Sequence, residues 1–212
     1  MAKERQHSKR PGAKGKLLDA ALMEIRAKGY AATTVDDLCQ AAGVTKGAFF
    51  HHFASKEDLA VAAAEHWSQT TGALFAAAPF HEPEDPLERV LGYIAFRKLL
   101  IAGDPAEFTC LVGTMVQETF DVHPRIREAC HASIFGHAAT LEADIAGAIE
   151  AHGTVAPVTA RSLALHTQAV LQGAFILAKA DDNPQAAADS IDHLHRYIVL
   201  LFGGTPKQET LA

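Results

Sequence analysis

The sequence predicts an all-α fold of about nine helices, an N-terminal three-helix head on a larger helical body. Three observations predict it. Apolar residues recur every three or four positions along the chain, and no segment shows strand-like alternation. Gly and Pro gather in short clusters, Gly103-Asp104-Pro105, His123-Pro124, Gly153 with Pro157, and Asp181-Asp182-Asn183-Pro184, which punctuate long uninterrupted segments. Thr34 with Asp37, and Ser55 with Asp58, have the hydroxyl-x-x-acid spacing that caps a helix start.

The first helix is expected over 14–28, where Leu17, Leu18, Ala21, Leu22 and Ile25 share one face. Gly29 ends it and Tyr30 covers the end as the apolar partner of a glycine cap. Two short helices follow, Val35–Ala42 and Lys46–His52. The Thr34 hydroxyl caps the free N–H groups of the first of them. Leu38, Ala41 and Ala42 keep its surface small enough for a second helix to come close. Gly43 stands where the chain turns sharply, a position that favours a residue tolerant of positive φ. Val44 plugs the corner and Thr45 caps the next helix. Ser55 and Asp58 launch a long helix to about residue 77, stopped by Pro79, and 81–85 is a polar, proline-bearing linker. Further helices are expected over 86–102, 107–120, 124–152, 158–179 and 184–202.

The segment from Thr33 to Lys56 therefore reads as a helix-turn-helix, whose second helix presents Lys46 and its neighbours to a DNA major groove. The strings Leu18-Asp19-Ala20-Ala21, Gly29-Tyr30, Thr33-Thr34, Ala41-Ala42-Gly43-Val44-Thr45-Lys46-Gly47 and His51-His52-Phe53-Ala54-Ser55-Lys56 resemble the N-terminal domain of the tetracycline-repressor (TetR) family of bacterial transcription regulators. The resemblance runs from about residue 17 to 59, about a fifth of the chain. It implies a DNA-binding domain over 1–55, a ligand-binding and dimerisation domain over 56–205, and a tail over 206–212. The activity it implies is that of a homodimeric, ligand-responsive repressor bound to a palindromic double-stranded operator and released by a small apolar or aromatic effector, a thiol-reactive one being an option.

The charge distribution fits that reading. The net charge of −6 divides into +3 over residues 1–58, with 10 Lys and Arg against 7 Asp and Glu, and −9 over the remainder. The basic excess is densest at Lys3, Arg5, Lys9, Arg10, Lys14 and Lys16, the footprint of a nucleic-acid-binding end on a non-binding body; a solubilising tail would explain 3–10 equally well. No apolar run follows the first basic residues, so no secretory signal is expected, and no stretch reaches the length of a membrane helix. The nearest, 169–178, is interrupted by Gln172. Three unclustered cysteines, Cys39, Cys110 and Cys130, argue against a disulfide framework or a zinc site and for a reducing, cytoplasmic compartment. No cofactor is expected.

On the head, the resemblance implies DNA contacts from the second short helix. Thr45 and Lys46 stand where relatives reach base edges, and Lys is a common partner of guanine O6 and N7. Gly47 and Ala48 put little bulk in the groove. Phe49 and Phe53 read as core. Phe50 departs from the family, which usually has a phosphate-binding tyrosine there, and is left to pack on the sugar-phosphate backbone. His51 is read as a phosphate contact and His52 as packing. Lys56 and Thr34, each at a helix start, are placed to meet phosphates. Asp36 is a second departure, an acid where relatives often carry a basic or neutral residue.

The body is read more coarsely. Leu163, Thr167, Val170, Ala174 and Leu177, and then Ile191, Leu194, Ile198 and Leu201, form two seams with steps of three and four. Such seams suit either a four-helix bundle across a two-fold axis or the chain's own core; the resemblance favours the dimer. Trp67, Phe96, Phe108, Met115, Phe120, Phe135 and Phe175 are candidates to line an effector cavity, with His66, Gln117, His137 and His166 as polar neighbours, although residues so spaced also serve as ordinary core. The twelve histidines include no i, i+4 pair with an acidic ligand set, so no metal site is expected. Cys110, in Phe108-Thr109-Cys110-Leu111-Val112-Gly113, resembles the sensing thiol of electrophile-responsive members of the family; a buried cysteine is more often an inert small hydrophobe, and no cation stands near it in sequence. The alternative from another class is an all-α enzyme using Cys110 with a histidine. It lacks a nucleophile elbow, a phosphate loop and a carboxylate pair, and the reading adopted is non-enzymatic.

Overall fold

A computed structural model describes residues 12–205, so Lys3, Arg5, Lys9, Arg10 and the 206–212 tail lie outside the described residues. All regular structure among them is helical: α1 Ala13–Lys28, α2 Val35–Ala42, α3 Lys46–His52, α4 Lys56–Ala76, a 3-10 turn Pro79–His81, α5 Pro86–Leu99, α6 Pro105–Phe108, α7 Leu111–Thr119, α8 Pro124–Ala139, α9 Glu142–His152, α10 Ala160–Asp181 and α11 Pro184–Leu201.

Two expected helices are divided. The 107–120 segment breaks at Thr109 and Cys110, whose extended backbones end α6 and open α7. The 124–152 segment breaks at Thr140 and Leu141. There the N–H groups bond three residues back rather than four, and the Thr140 hydroxyl also donates to the His137 carbonyl at 2.7 Å. No Gly or Pro marks either break. The intended caps form: Thr34 and Asp37 make a reciprocal box at α2, Thr45 accepts from the Ala48 N–H, and Ser55 accepts from the Asp58 N–H. Gly43 takes the left-handed conformation (φ 62°) at the turn between α2 and α3.

The core forms two main clusters. The first joins Leu17, Ile25, Leu38, Phe49 and Phe53 of the head to Leu59, Ala60 and Ala63 in the first half of α4, and continues into Leu111, Val112 and Met115 of α7 and Ile126 and Cys130 of α8. The head therefore does not end energetically at residue 55. The second cluster surrounds Phe75, Phe80, Tyr93, Ile94, Ile145, Leu163, Leu171, Ile191, Leu194, Ile198 and Leu201.

That second cluster corrects the reading of the seams. Ile191, Leu194, Ile198 and Leu201 are all buried within the chain, where α11 packs on α5 and α10, as are Leu163, Thr167 and Ala174. The second seam faces the chain's own core throughout, and the first does so at Leu163, Thr167 and Ala174 but not at Leu177, with Val170 half-buried. The outer surface of the same two helices carries Ile176, Leu177, Tyr197 and Leu200, all about half exposed, and Gly173, beside which an added Cβ would meet open space.

Candidate nucleic-acid interface and internal cavity

The short helix α3 lies with Phe49 wholly buried beneath it, which turns Thr45, Lys46, Gly47, Phe50, His51 and His52 outward. Ala48 is half-buried. Gly47 is not required by the fold, since an added Cβ would meet nothing nearer than the Thr45 hydroxyl at 3.7 Å. Phe50, 57% exposed, leans edge-on against Phe49. Lys46 does not project freely: its Nζ is 2.7 Å from the Asp36 carboxylate across the turn, which raises the lysine pKa. Asp36, a departure from the family pattern, thus partners the residue expected to read bases.

Thr34 is exposed, with its hydroxyl engaged in the α2 cap. Lys56 points into the head. Its Nζ donates to the carbonyls of Tyr30 and Thr33, both at 3.0 Å, and lies 4.2 Å from the Tyr30 ring centre; burial there lowers its pKa. Two of its three N–H groups are committed to bracing the α1–α2 turn.

That turn is also gripped from the body. Glu118 of α7 accepts from the Tyr30 and Ala31 N–H groups at 3.2 and 2.8 Å, so close to Gly29 that a side chain there would collide with its carboxylate. Arg26 of α1 donates to the Glu107 carbonyl at 2.8 Å, and Lys179 of α10 donates to the Arg26 carbonyl at 2.8 Å and to the Thr114 hydroxyl. Head and body are joined by three charged side chains as well as by α4.

Against this junction lies a cavity of about 440 Å³. Trp67, Thr71 and Phe75 of α4 form one wall; Arg97, Leu100 and Ile101 stand at the end of α5; Phe108 and Cys110 come from the α6–α7 break. Ser133, Gly136 and His137 of α8 and Gln168, Gln172 and Phe175 of α10 complete it, and Arg26 reaches in from the head, its guanidinium 5.2 Å from the Trp67 ring centre. Deeper in, the Tyr93 hydroxyl bonds His137 Nε2 at 2.9 Å and accepts from Gln168 Nε2 at 3.1 Å. Burial, with the charge of Arg97, pushes His137 down to about 4, so its ring is neutral at neutral pH. Cys110 sits at the first turn of α7 with its Sγ 3.4 Å from the Gly113 N–H, and it also borders a smaller hollow with Thr114 and Lys179.

Of the residues expected to line a cavity, Trp67, Phe108, Cys110, His137 and Phe175 do so. The other expectations are corrected. Met115 is fully buried in the first core cluster, Phe96 packs on Phe75 and Phe80, Phe120 is 59% exposed, and Phe135 lies on the surface stacked on His131. His66 pairs with Asp19 and His166 with the Tyr197 ring, both away from the cavity. Sequence reasoning missed Arg26, Arg97, Phe75 and the two glutamines. Gln172, a polar residue interrupting the apolar run 169–178, was the available signal. Among the described residues no three His, Cys, Asp or Glu side chains gather as a metal site, and no helix is long and apolar enough to cross a membrane.

Residues 17–63 match the family described as bacterial regulatory proteins, tetR family, and residues 86–189 match the C-terminal domain described as transcriptional regulator LmrA/YxaF-like. The chain is 31% identical over 102 residues to the transcriptional regulator AcuR of Cereibacter sphaeroides, covering 48% of this chain and 47% of that one. It is 43% identical over 72 residues to the HTH-type transcriptional regulator CymR of Pseudomonas putida, covering 34% and 36%. The chain thus spans about half the length of AcuR and less of CymR. The fold matches a TetR-family regulator from Agrobacterium tumefaciens with a TM-score of 0.76 at 22% identity, covering 87% of this chain and 96% of that one. It matches the regulatory protein TetR from Rhodobacter sphaeroides with a TM-score of 0.75 at 23% identity, covering 87% and 98%.

Proposed function

This chain belongs to the TetR family of bacterial transcriptional regulators, and we propose that it is a homodimeric repressor whose two heads bind a palindromic operator and are released by a small molecule in the cavity. The observation that carries this reading is the shared wall: Arg26 and Trp67, on the two helices that pack the head, also line the cavity. A molecule entering there presses on the elements that hold α3. Thr45, Lys46, Gly47 and Ala48 are the base-facing group, with Thr34, Phe50 and His51 on the backbone of the DNA. Lys56 acts chiefly by bracing the α1–α2 turn. The outer faces of α10 and α11, with Gly173, Leu177, Tyr197 and Leu200, are the dimer surface this reading favours.

The switch requires that the effector bind the DNA-free shape better than the DNA-bound one, because equal affinity would shift nothing. A coupling of about 1–3 kcal/mol lowers operator affinity roughly 5–150-fold. The test is to select DNA fragments with the purified protein and sequence them. A symmetric site is expected, with half-site centres about 34–36 Å apart, or a multiple of it. Fragments with no common symmetric motif would defeat the proposal.

A second reading of the trigger concerns Cys110. It is half-buried on the cavity wall and also borders the smaller hollow, within reach of a small electrophile that enters either space. Cys110→Ser should then abolish release by an electrophile such as N-ethylmaleimide and keep release by non-reactive ligands. If the variant responds to both as the parent does, Cys110 is packing.

A further inference from the structure

The lining of the cavity narrows the chemistry of its occupant, an assignment that rests on the effector reading of the same site. Arg26 is buried, and Arg89 and Arg97 are half-buried. Arg26 donates to the Leu22 and Glu107 carbonyls, each at 2.8 Å. Arg89 pairs with Asp144 at 2.7 Å and donates to the carbonyls of Pro83 and Glu84. Arg97 differs from both: no backbone carbonyl or carboxylate among the described residues holds it, and its polar neighbours are the Tyr93 hydroxyl, at hydrogen-bonding range, and His137, which both feel its charge. Its guanidinium lies 5.2 Å from the Phe75 ring centre and 5.6 Å from that of Phe175, on the cavity wall. Aromatic faces hold a cation without engaging its in-plane N–H groups, so those of Arg97 not turned to Tyr93 remain open to an anion.

The rest of the lining does not neutralise that charge. Glu107 is the one acid lining the cavity, and its carboxylate accepts from the Asp104 N–H at 2.9 Å in the α6 cap. His137 faces the same region as a neutral ring, held by the Tyr93 hydroxyl. Of the two guanidinium groups lining the cavity, Arg26 is held by carbonyls, so Arg97 is the planar cation left to a ligand, with aromatic surface from Trp67, Phe75, Phe108 and Phe175 around it. A carboxylate matches the guanidinium fork in charge and geometry, and a cavity of about 440 Å³ suits a compact ligand rather than a long chain.

We propose that the cavity takes an aromatic monocarboxylic acid as its anion, with the carboxylate paired to Arg97 and the ring system against Trp67 and Phe175. Binding needs no covalent step and is independent of Cys110.

The test uses the full chain without DNA and two matched probes, 2-naphthoate and its neutral amide 2-naphthamide. Trp67 is the sole tryptophan and stands on the cavity wall, so fluorescence quenching reports occupancy while calorimetry gives affinity. The acid is expected to bind at least tenfold tighter than the amide. Arg97→Gln should erase that preference while leaving amide binding in place, which also shows that the variant is folded, and Arg97→Lys should keep part of it. Equal affinity of acid and amide, a preference that survives Arg97→Gln, or no quenching by the acid at millimolar concentration overturns the proposal. Operator release is scored separately. Arg97-dependent acid binding that leaves the operator complex intact removes the effector reading and spares the ligand assignment.

Discussion

In the helix-turn-helix, the hydrogen bonds that cap its helices join neighbours in sequence: Asp37 to Thr34, Ala48 to Thr45 and Asp58 to Ser55, each three residues apart. Around the cavity they join residues 44, 75 and 81 positions apart, Tyr93 to His137, Gln168 to Tyr93 and Arg26 to Glu107. The head is a surface whose residue types are dictated by local turns and caps. The cavity is a space left where seven helices meet, and any set of side chains that closes the surrounding core is compatible with it. One scaffold can therefore keep its DNA-facing motif while the chemistry of the cavity varies freely.

The largest effect tests which side of the body helices is inside. Leu194 is 2% exposed between α11, α10 and α5, whereas Leu177 is 54% exposed. Leu194→Glu buries an unpaired carboxylate and should cost about 3–5 kcal/mol, a large part of the 5–15 kcal/mol typical of a folded domain. Leu177→Glu should leave urea stability at low protein concentration within about 0.5 kcal/mol and shift sedimentation toward monomer. A folded, monomeric Leu194→Glu would return that residue to the dimer surface.

That partition also shows what the sequence could and could not convey. The head was legible because Thr34, Gly43 and Thr45 each answer a local geometric demand, and the demands fall in one unbroken register. The seam beginning at Leu163 was legible as a helix face but not as an inner or outer one. A 3.5-residue step drifts about 20° per heptad against a helix of 3.6, so after two heptads Leu177 has rotated out and Ala178 lies inside. The cavity was legible only in part, because an aromatic at helical spacing looks the same whether it meets another side chain or a space. Arg97, in the last turn of α5, reads from sequence as a complement to the helix dipole; only the approach of Phe75 and Phe175 from other helices gives it a second meaning.

On the head, the next effect separates base reading from bracing. Lys46→Ala should weaken operator binding by about 1–3 kcal/mol and relax the preference at one position in each half-site. Lys56→Ala should weaken binding evenly across sequences and also lower the thermal midpoint, because the Tyr30 and Thr33 carbonyls lose their donor. Competition binding against a library of single-base operator variants distinguishes the two. An unchanged preference profile for Lys46→Ala would remove α3 from the major groove.

A comparable effect belongs to the body alone. His137 is held at about 4 against an ordinary 6.5, so between those values the unfolded chain binds the extra proton and the folded chain does not. Stability on this account is full above pH 6.5 and falls as the pH drops toward 4, by about 2 kcal/mol between pH 7.5 and pH 5. Urea titrations at the two pH values measure it. His137→Gln should remove that share of the acid sensitivity, and a variant as acid-sensitive as the parent would place the titrating group elsewhere.

The smallest effect is the sharpest test of the head as a surface shaped for a partner and not for its own packing. Gly47 lies in the first turn of α3, where glycine costs a helix about 0.5–1 kcal/mol relative to alanine. Nothing in the folded chain needs that glycine: an added methyl would meet only the Thr45 hydroxyl, at an ordinary contact distance of 3.7 Å. Gly47→Ala should therefore leave the head equally stable, or more so by a few tenths of a kcal/mol. If α3 lies in the groove with its backbone close to DNA, the same methyl group should weaken operator binding several-fold. The combination of unchanged or raised melting temperature and lowered affinity is the expected signature. Reduced stability would mean that the turn constrains Gly47 in a way its surroundings do not explain, and unchanged affinity would mean that the DNA approaches α3 through the side chains of Thr45 and Lys46 alone.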